Sequence, residues 1–486
     1  MLLRHTLLYL PAQFVGPLFQ LLAMIVWTHV VDEHTLGVIT LITATHELLQ
    51  IGFLAWWSQY ALRFLGRYHN ANDAPRFYRT ENAVLLASVA LQSAAVVGIL
   101  LLVIAPDARA GLLLAAVAYV ITRSLNVYIG ERARAQQQIR VYTIQQVFGP
   151  SVGFVAGLAL IRLFGQSAEW PLAGYAAAQL VAALIVMPTL RGGYRLWPID
   201  REIVVHALRY GIPLIVGGAL GWVGLNASRF IVNEMSGVAA AGLFAVGYGL
   251  GQRAAAVAAM LVTAAAFPLA VKSMEQEGSQ AGMRQLAANS ALLVAILAPS
   301  LAGIFMLRTE IVHLLIAAPF QAVTLAVLPL STLAGAIRNL RAHFGDQVFL
   351  LQNRTRWMMA IAAIDASTTV VLSALFLPRW GLPGVAGATV LAALAAASVS
   401  FSIGFTWFGL RLPVGHLVRI ASATIAMAAL LRTFPEARSI AVLAAHVAAG
   451  AAAYFGALAL LYAPSLLRML RPCPRIRGHE RCDSRL

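Results

Sequence analysis

The sequence contains few charged residues. They make up 11% of its 486 residues, against about 25% in soluble domains, whereas 60% of the residues are hydrophobic. The mean hydropathy is +0.78. About fourteen membrane spans of roughly 20 apolar residues each would leave only short loops. We therefore predict an all-α polytopic membrane protein with about fourteen transmembrane helices and no soluble domain of ordinary size.

Acidic residues are fewer than basic ones, 19 against 35, which gives a formal net charge of +16. In a soluble protein this excess would suggest a nucleic-acid partner. Here the basic residues lie mainly between alternate apolar runs, as the positive-inside rule requires of cytoplasmic loops. With a cytoplasmic amino terminus, 26 fall on that side and 7 on the other, and Arg123 and Arg253 lie inside helices. This bias predicts two cytoplasmic termini, an even number of helices and no nucleic-acid partner.

Cysteine is nearly absent, and the motifs of several enzyme classes are missing. The two cysteines, Cys473 and Cys482, stand near His479 in the terminal tail and supply too few ligands for a zinc site. The chain has no phosphate-binding lysine loop, no His-Glu-x-x-His motif and no nucleophile elbow. We predict no metal, no cofactor and no enzymatic activity. The first apolar run is too long for a signal-peptide core, and we expect it to be retained.

The apolar runs divide the chain into predicted spans and domains. The spans are 7–31, 35–62, 80–105, 110–136, 141–164, 168–190, 206–233, 237–270, 286–307, 320–350, 357–377, 382–408, 415–432 and 438–463. The domains are a first lobe of six helices at 1–200, a second at 201–410, two further helices at 411–465 and a basic cytoplasmic tail at 466–486.

An internal repeat supports this division into lobes. The matching features are Tyr9-Leu-Pro11 with Tyr210-Gly-Ile-Pro213, Gly37 with Gly242, Arg140 with Arg356, and Pro171-Leu-Ala-Gly174 with Pro383-Gly-Val-Ala-Gly387. Six helices separate the matching pairs, so the repeats are parallel, as in transporters whose halves are related by an axis along the membrane normal. The small residues around Gly218 and Gly249 fit close helix packing, or bending during a transport cycle.

Five of the ionisable residues inside predicted spans stand out, because a charge at a helix centre costs about 2.5–3.5 kcal/mol on insertion scales. Arg123 and Arg253 are near the midplane and predict a water-filled cavity or structural ion pairs. Arg229 is nearer a helix end and could instead extend to the interface. Glu47 and Asp365 are candidate partners for these arginines, or candidate ion carriers. Guanidinium groups bind phosphate oxygens through a planar donor fork, so we predict an anionic substrate group at Arg123, Arg253 and Arg229.

Several stretches resemble a known transporter family. They are Tyr210-Gly-Ile-Pro-Leu214, Arg229-Phe-Ile-Val232, Ala241-Gly-Leu-Phe-Ala-Val-Gly-Tyr248 and Pro378-Arg-Trp-Gly-Leu-Pro-Gly-Val-Ala-Gly387. Together with the helix count, the sequence resembles the polysaccharide-transport branch, which contains the O-antigen flippases, of the multidrug, oligosaccharidyl-lipid and polysaccharide (MOP) exporter superfamily. Relatives often carry an acid before the arginine of the seventh helix, where this chain has Ser228. A role for an acid–arginine pair there is therefore not expected.

The resemblance implies two six-helix lobes around a cavity that opens alternately to each side of the bacterial inner membrane. The implied substrate is an undecaprenyl-diphosphate-linked oligosaccharide, moved to the periplasmic leaflet for cell-surface or exopolysaccharide synthesis. The implied partners are this lipid-linked substrate, membrane lipids and the polymerase or glycosyltransferase machinery.

Three alternatives remain open. A lipid II flippase of peptidoglycan synthesis has the same superfamily and helix number, and differs in being essential. A multidrug and toxin extruder typically has twelve helices and prefers cations, which a cavity of arginines disfavours. A membrane-embedded glycosyltransferase or polymerase would carry a large periplasmic loop, and no outer loop here exceeds about fifteen residues.

Overall fold

The computed structural model describes residues 2–70, 73–189 and 197–470. Fifteen α-helices account for nearly all of these residues. They are α1 (Leu2–Thr28), α2 (Glu33–Gln50), α3 (Trp56–Asn70), α4 (Ala74–Ile99), α5 (Ala110–Ala135), α6 (Ile139–Phe164), α7 (Glu169–Val186), α8 (Arg201–Glu277), α9 (Ser279–Met306), α10 (Arg308–Leu315), α11 (Ala318–Leu340), α12 (Asp346–Leu351), α13 (Arg356–Trp407), α14 (Val414–Leu431) and α15 (Ile440–Leu470). The predicted tail, with both cysteines, lies outside the described residues from 471 onward.

The helix count agrees with the predicted fourteen spans once two long helices are divided. Gly237 in α8 has φ +85° and Gly381 in α13 has φ +61°, backbone angles that side chains with a Cβ rarely adopt. Each glycine ends one helix and begins the next. Eleven described helices are long and apolar enough to cross a membrane. Dividing α8 and α13 gives thirteen, and α1 is the fourteenth.

Three spans contain a short π-helical segment where one residue is added to the helical turn. These segments are Ile51–Ala55 between α2 and α3, Leu100–Ile104 after α4, and Arg341–Gly345 between α11 and α12. Such segments occur often at functional sites because they redirect the side chains that follow. The third one makes α11 and α12 a single span and places Arg341 inside it.

The packing is the inverse of that in a soluble protein. Large apolar side chains such as Leu102 and Leu460 are 83% and 76% exposed, whereas Glu81, Gln145 and Asp365 are buried. Lipid is as apolar as a leucine side chain, so large apolar side chains lie on the outer surface as well as in the core, whereas buried polar groups lie between the helices. Buried polar residues between the helices are therefore candidate functional residues.

The two halves of the described chain touch where α2 and the second part of α8 begin. A Cβ on Gly37 would overlap the backbone carbonyl of Val238, and a Cβ on Gly242 would overlap that of Glu33. Gly37 and Gly242 are the matching glycines of the sequence repeat. The absence of a side chain at both positions lets the two backbones meet.

Candidate functional site

A cavity lies between the halves, close to this glycine contact. Its volume is about 170 Å³ and its walls come from α1, α2, α5, α6, α7 and both parts of α8. A second cavity of about 450 Å³ adjoins it along α2, α5 and the first part of α8. His46, Glu47 and Arg123 line both cavities, so these three side chains stand where the two spaces meet.

The cavity is cationic. Arg123 comes from α5, whereas Arg229 and Arg253 come from the two parts of α8, and all three line the smaller cavity. Glu47 is its one acidic lining residue. With neutral histidine, the charged lining residues carry two net positive charges. The three arginines predicted from the sequence are thus brought to one site, although they are far apart along the chain.

Arg229 and Arg253 flank the same glycine. A Cβ on Gly249 would lie 3.5 Å from Nη1 of Arg253 and 4.0 Å from Nη2 of Arg229. Nη1 of Arg253 and Nε of Arg229 are buried without a hydrogen-bond acceptor in the described part of the chain. Two like charges with free donors are unfavourable in a low dielectric. An anion between them would relieve the repulsion and accept both sets of hydrogen bonds.

Among the described residues, Glu47 forms no salt bridge and the hydroxyl of Ser228 forms no hydrogen bond. Glu47 is exposed to the cavity and forms none of the salt bridges between described residues. Ser228 is fully buried, and its hydroxyl has no described partner. The position beside Arg229 therefore supplies no neutralising acid, and the positive charge of the cavity is left for a ligand.

Neutral groups hold the shape of the cavity wall. His46 Nε2 lies 3.1 Å from Ser124 Oγ, which donates to Gln92 Oε1 at 2.9 Å. Thr122 donates to Gln179 Oε1 at 3.1 Å. These bonds fix α2, α4, α5 and α7 to one another. Sequence reasoning did not predict Gln179 as a lining residue, because an uncharged amide inside a helix gives little signal.

Asp365 lies elsewhere, and the expectation that it pairs with Arg123 or Arg253 is wrong. Its carboxylate accepts from Arg338 Nη2 at 2.8 Å and from Arg341 Nη1 at 2.9 Å. Arg341 is also 3.3 Å from Asp346, which accepts from Ser400 at 2.7 Å. We call Arg338, Arg341, Asp346 and Asp365 the buried ion cluster.

The charge count along the sequence needs a matching correction. The 26 basic residues counted on the cytoplasmic side include Arg338 and Arg341, which lie within the span formed by α11 and α12. The 7 counted on the opposite side include Arg229, which lines the cavity. Without these three arginines, the count is 24 basic residues on the predicted cytoplasmic side and 6 on the opposite side. The bias in loop charge is therefore preserved.

Tyr248 lies between the cavity and the buried ion cluster. Its hydroxyl accepts from Arg338 Nη1 at 3.3 Å, and its ring centroid is 5.5 Å from Cζ of Arg229. A cation near an aromatic face is attracted by the ring. Sequence reasoning did not find this link, because Tyr248 and Arg338 are 90 residues apart.

A family model described as polysaccharide biosynthesis protein matches residues 2–274. This range covers more than half of the chain and includes all three cavity arginines. The chain belongs to this family. No curated protein sequence matches it.

Solved structures show the fold over almost the whole chain. A lipid II flippase, MurJ, in an inward closed conformation has a TM-score of 0.76 at 13% identity, covering 95% of this chain and 100% of its own. A multidrug resistance MATE transporter of the MOP superfamily has TM-scores of 0.56 in its inward-facing form and 0.55 in its outward-facing form. The identities are 14% and 15%, with 86% of this chain covered and 98% and 95% of theirs.

Family and fold together confirm the predicted superfamily and the all-α polytopic architecture. The protein is a multi-pass membrane transporter of the MOP type. Its structural neighbours are a flippase and transporters, in agreement with the prediction that the chain is not an enzyme.

Proposed function

We propose that this protein is a flippase for an undecaprenyl-diphosphate-linked oligosaccharide in the inner membrane. The observation that carries the proposal is the cavity in which Arg123, Arg229 and Arg253 face a single acid. A diphosphate supplies oxygen acceptors for the guanidinium donors of Arg229 and Arg253 that have none among the described residues. The polyprenyl chain stays in the lipid while the charged head group enters the cavity.

The size of the site limits what it holds in the present conformation. The larger cavity, about 450 Å³, lies within the range of small-ligand pockets, about 300 to 1,000 Å³, and the adjoining smaller cavity adds about 170 Å³. They accommodate a diphosphate and its first sugars. A longer glycan requires the halves, residues 1–200 and 201–410, to move apart, while the two helices at 411–465 stay outside the moving pair.

The membrane potential supplies a driving force in the export direction. Each negative charge that moves outward from a negative interior gains about 2.3 kcal/mol per 100 mV. An anionic head group could therefore be exported without ATP. In this scheme both termini are cytoplasmic, and the product serves polymerase or glycosyltransferase machinery on the outer side, for O-antigen, lipopolysaccharide or exopolysaccharide synthesis.

A lipid II flippase is the second candidate. The match to MurJ over 95% of this chain favours it, and lipid II also carries a diphosphate between lipid and sugar. The two candidates differ in the consequence of deletion. Loss of a peptidoglycan flippase stops growth, whereas loss of a polysaccharide flippase leaves viable cells that lack the surface glycan.

The test combines gene deletion with arginine variants. We expect deletion to remove surface polysaccharide and to raise the extracted lipid-linked oligosaccharide. Arg123→Gln and Arg253→Gln should fail to restore the glycan at normal expression, since each removes a donor fork from the cavity. Arg253→Lys should restore only part of it, because an ammonium keeps the charge but loses the planar fork.

The matched control is Arg162→Gln, at the exposed end of α6, which should restore export fully. If the cavity variants also restore full export, the proposed site is wrong. If deletion leaves the glycan normal and changes sensitivity to cationic drugs, the protein is a multidrug exporter. A lethal deletion with accumulated lipid II would assign it to peptidoglycan synthesis.

A further inference from the structure

A second polar cavity lies far along the chain from the arginine cavity. Its volume is about 520 Å³, within the range of small-ligand pockets, and its walls come from the start of α9, the connection between α13 and α14, and the start of α14. Its basic lining residues are Arg284, Arg411 and His416, and no acidic residue lines it. The chemistry of the lining therefore selects an anion.

The backbone adds to this selection. Helices α9 and α14 both begin at the cavity, and neither has a side-chain hydrogen bond capping its first turn. The positive end of a helix dipole favours negative charge. On α14, the ring of His416 is hydrogen-bonded to the hydroxyl of Tyr462. Cζ of Arg419 lies 4.6 Å from the ring centroid of Tyr462. These contacts hold the start of α14 against α15.

The remaining lining includes the polar residues Ser279 and Gln280 and an apolar part that continues into the outer surface of the helices. Met283, Ala287 and Phe408 line the cavity beside the arginines. Val414, the first residue of α14, and Val418, one turn later, are 60% and 59% exposed. A cationic pocket that passes into an apolar helix face matches a molecule with a phosphate at one end and acyl chains at the other. Basic pockets between transmembrane helices bind anionic lipid head groups in this way.

We infer that this cavity binds the phosphate head group of an anionic phospholipid, whose acyl chains lie along α14. The chain's own tail is not a suitable occupant, because residues 466–486 are strongly basic. The site is separate from the arginine cavity, so the inference stands independently of the transported substrate.

The experiment uses the purified full-length protein in detergent, freed of lipid and studied by native mass spectrometry. We expect wild type to bind one phosphatidylglycerol at least tenfold more tightly than phosphatidylcholine. The double variant Arg284→Gln/Arg411→Gln should weaken phosphatidylglycerol binding about thirtyfold, since each basic residue near an anionic lipid contributes about a factor of five. Both arginines are exposed, so the variant should fold.

The control is Arg432→Gln/Arg438→Gln, which removes two exposed arginines from the opposite end of α14 and the loop beyond it. It should bind the lipid as wild type does. Equal weakening in both double variants, or no preference of wild type for phosphatidylglycerol, would overturn the site. Competition by millimolar glycerol phosphate as strong as that by the lipid would show a site for soluble anions instead, and would overturn the lipid assignment.

Discussion

At the scale of single residues, the buried ion cluster shows why charges inside this bundle come in sets. Its two arginines and two aspartates balance, and Arg338 also donates to the carbonyl of Gly224 at 2.8 Å and to Thr369 at 3.2 Å. A buried pair contributes little net stability because desolvation offsets attraction, but loss of one partner leaves an uncompensated charge. The cavity arginines lack such partners, which is what distinguishes a binding site from a structural cluster.

Removing the shared aspartate should therefore destabilise the protein. We expect Asp365→Ala to lower the free energy of unfolding by about 3–5 kcal/mol, measured by unfolding in mixed micelles. Ser367→Ala, an exposed position on the same helix, is the control. Adding Arg338→Met to Asp365→Ala should recover part of the loss. Unchanged stability in Asp365→Ala would contradict the ion-pair geometry.

Glu47 tests whether the cavity acid couples transport to protons. It faces the cavity and forms no salt bridge with another described residue. If it carries protons, Glu47→Gln should abolish the response of transport to a pH gradient and keep the response to membrane potential. Flipping assayed in liposomes with each gradient imposed separately measures both. An unaltered response to pH would exclude Glu47 as the coupling residue.

At the scale of elements, the glycine contact between α2 and α8 determines how the halves meet. We expect Gly242→Ala to destabilise the contact between α2 and the second part of α8 by about 1–3 kcal/mol, because the new methyl group would overlap the carbonyl of Glu33. Cross-linking of cysteines placed on either side of the contact measures the closed population. Gly303→Ala is the matched control, since a Cβ there meets nothing within 4 Å. An unchanged cross-linking yield in Gly242→Ala would show that the contact does not control closure.

The start of α2 depends on one capping side chain. Asp32 Oδ1 accepts from the backbone N of Thr35 at 2.7 Å, and Asp32→Ala should cost about 1 kcal/mol, read from thermal unfolding. Burial raises the pKa of Asp32, but the hydrogen bonds from Thr35 outweigh it, so the pKa lies below its ordinary 3.8.

The sign of the pH effect follows from this depressed pKa. The capping contribution is complete above the unfolded pKa and is lost as the pH falls through the lower folded pKa. Wild type and Asp32→Ala should therefore differ in stability at pH 6 and converge in strong acid. A difference that persists below both pKa values would show that the charge of Asp32 is not what stabilises the turn.

At the scale of the whole molecule, the loop charges predict the orientation. We expect a cysteine at Gln166, in the loop before α7, to react with an impermeant maleimide in intact cells. A cysteine at Gln276, near the end of α8, should react only after permeabilisation. Both positions are exposed, and Cys473 and Cys482 are first replaced by serine. The reverse labelling pattern would place the amino terminus outside.

The sequence by itself determined the helices, because apolar runs of span length and the spacing of loop charges are local properties. It also indicated that Arg123, Arg229 and Arg253 carry an insertion free-energy cost inside spans, which a cavity or a charged partner must offset. The tertiary structure alone decided which charges meet. Arg338 and Asp365 neutralise each other across 27 residues, while Arg229 and Arg253 converge on one cavity whose single acid, Glu47, leaves a net positive charge. Charge pairing depends on how helices pack side by side, and neither periodicity nor composition contains that information.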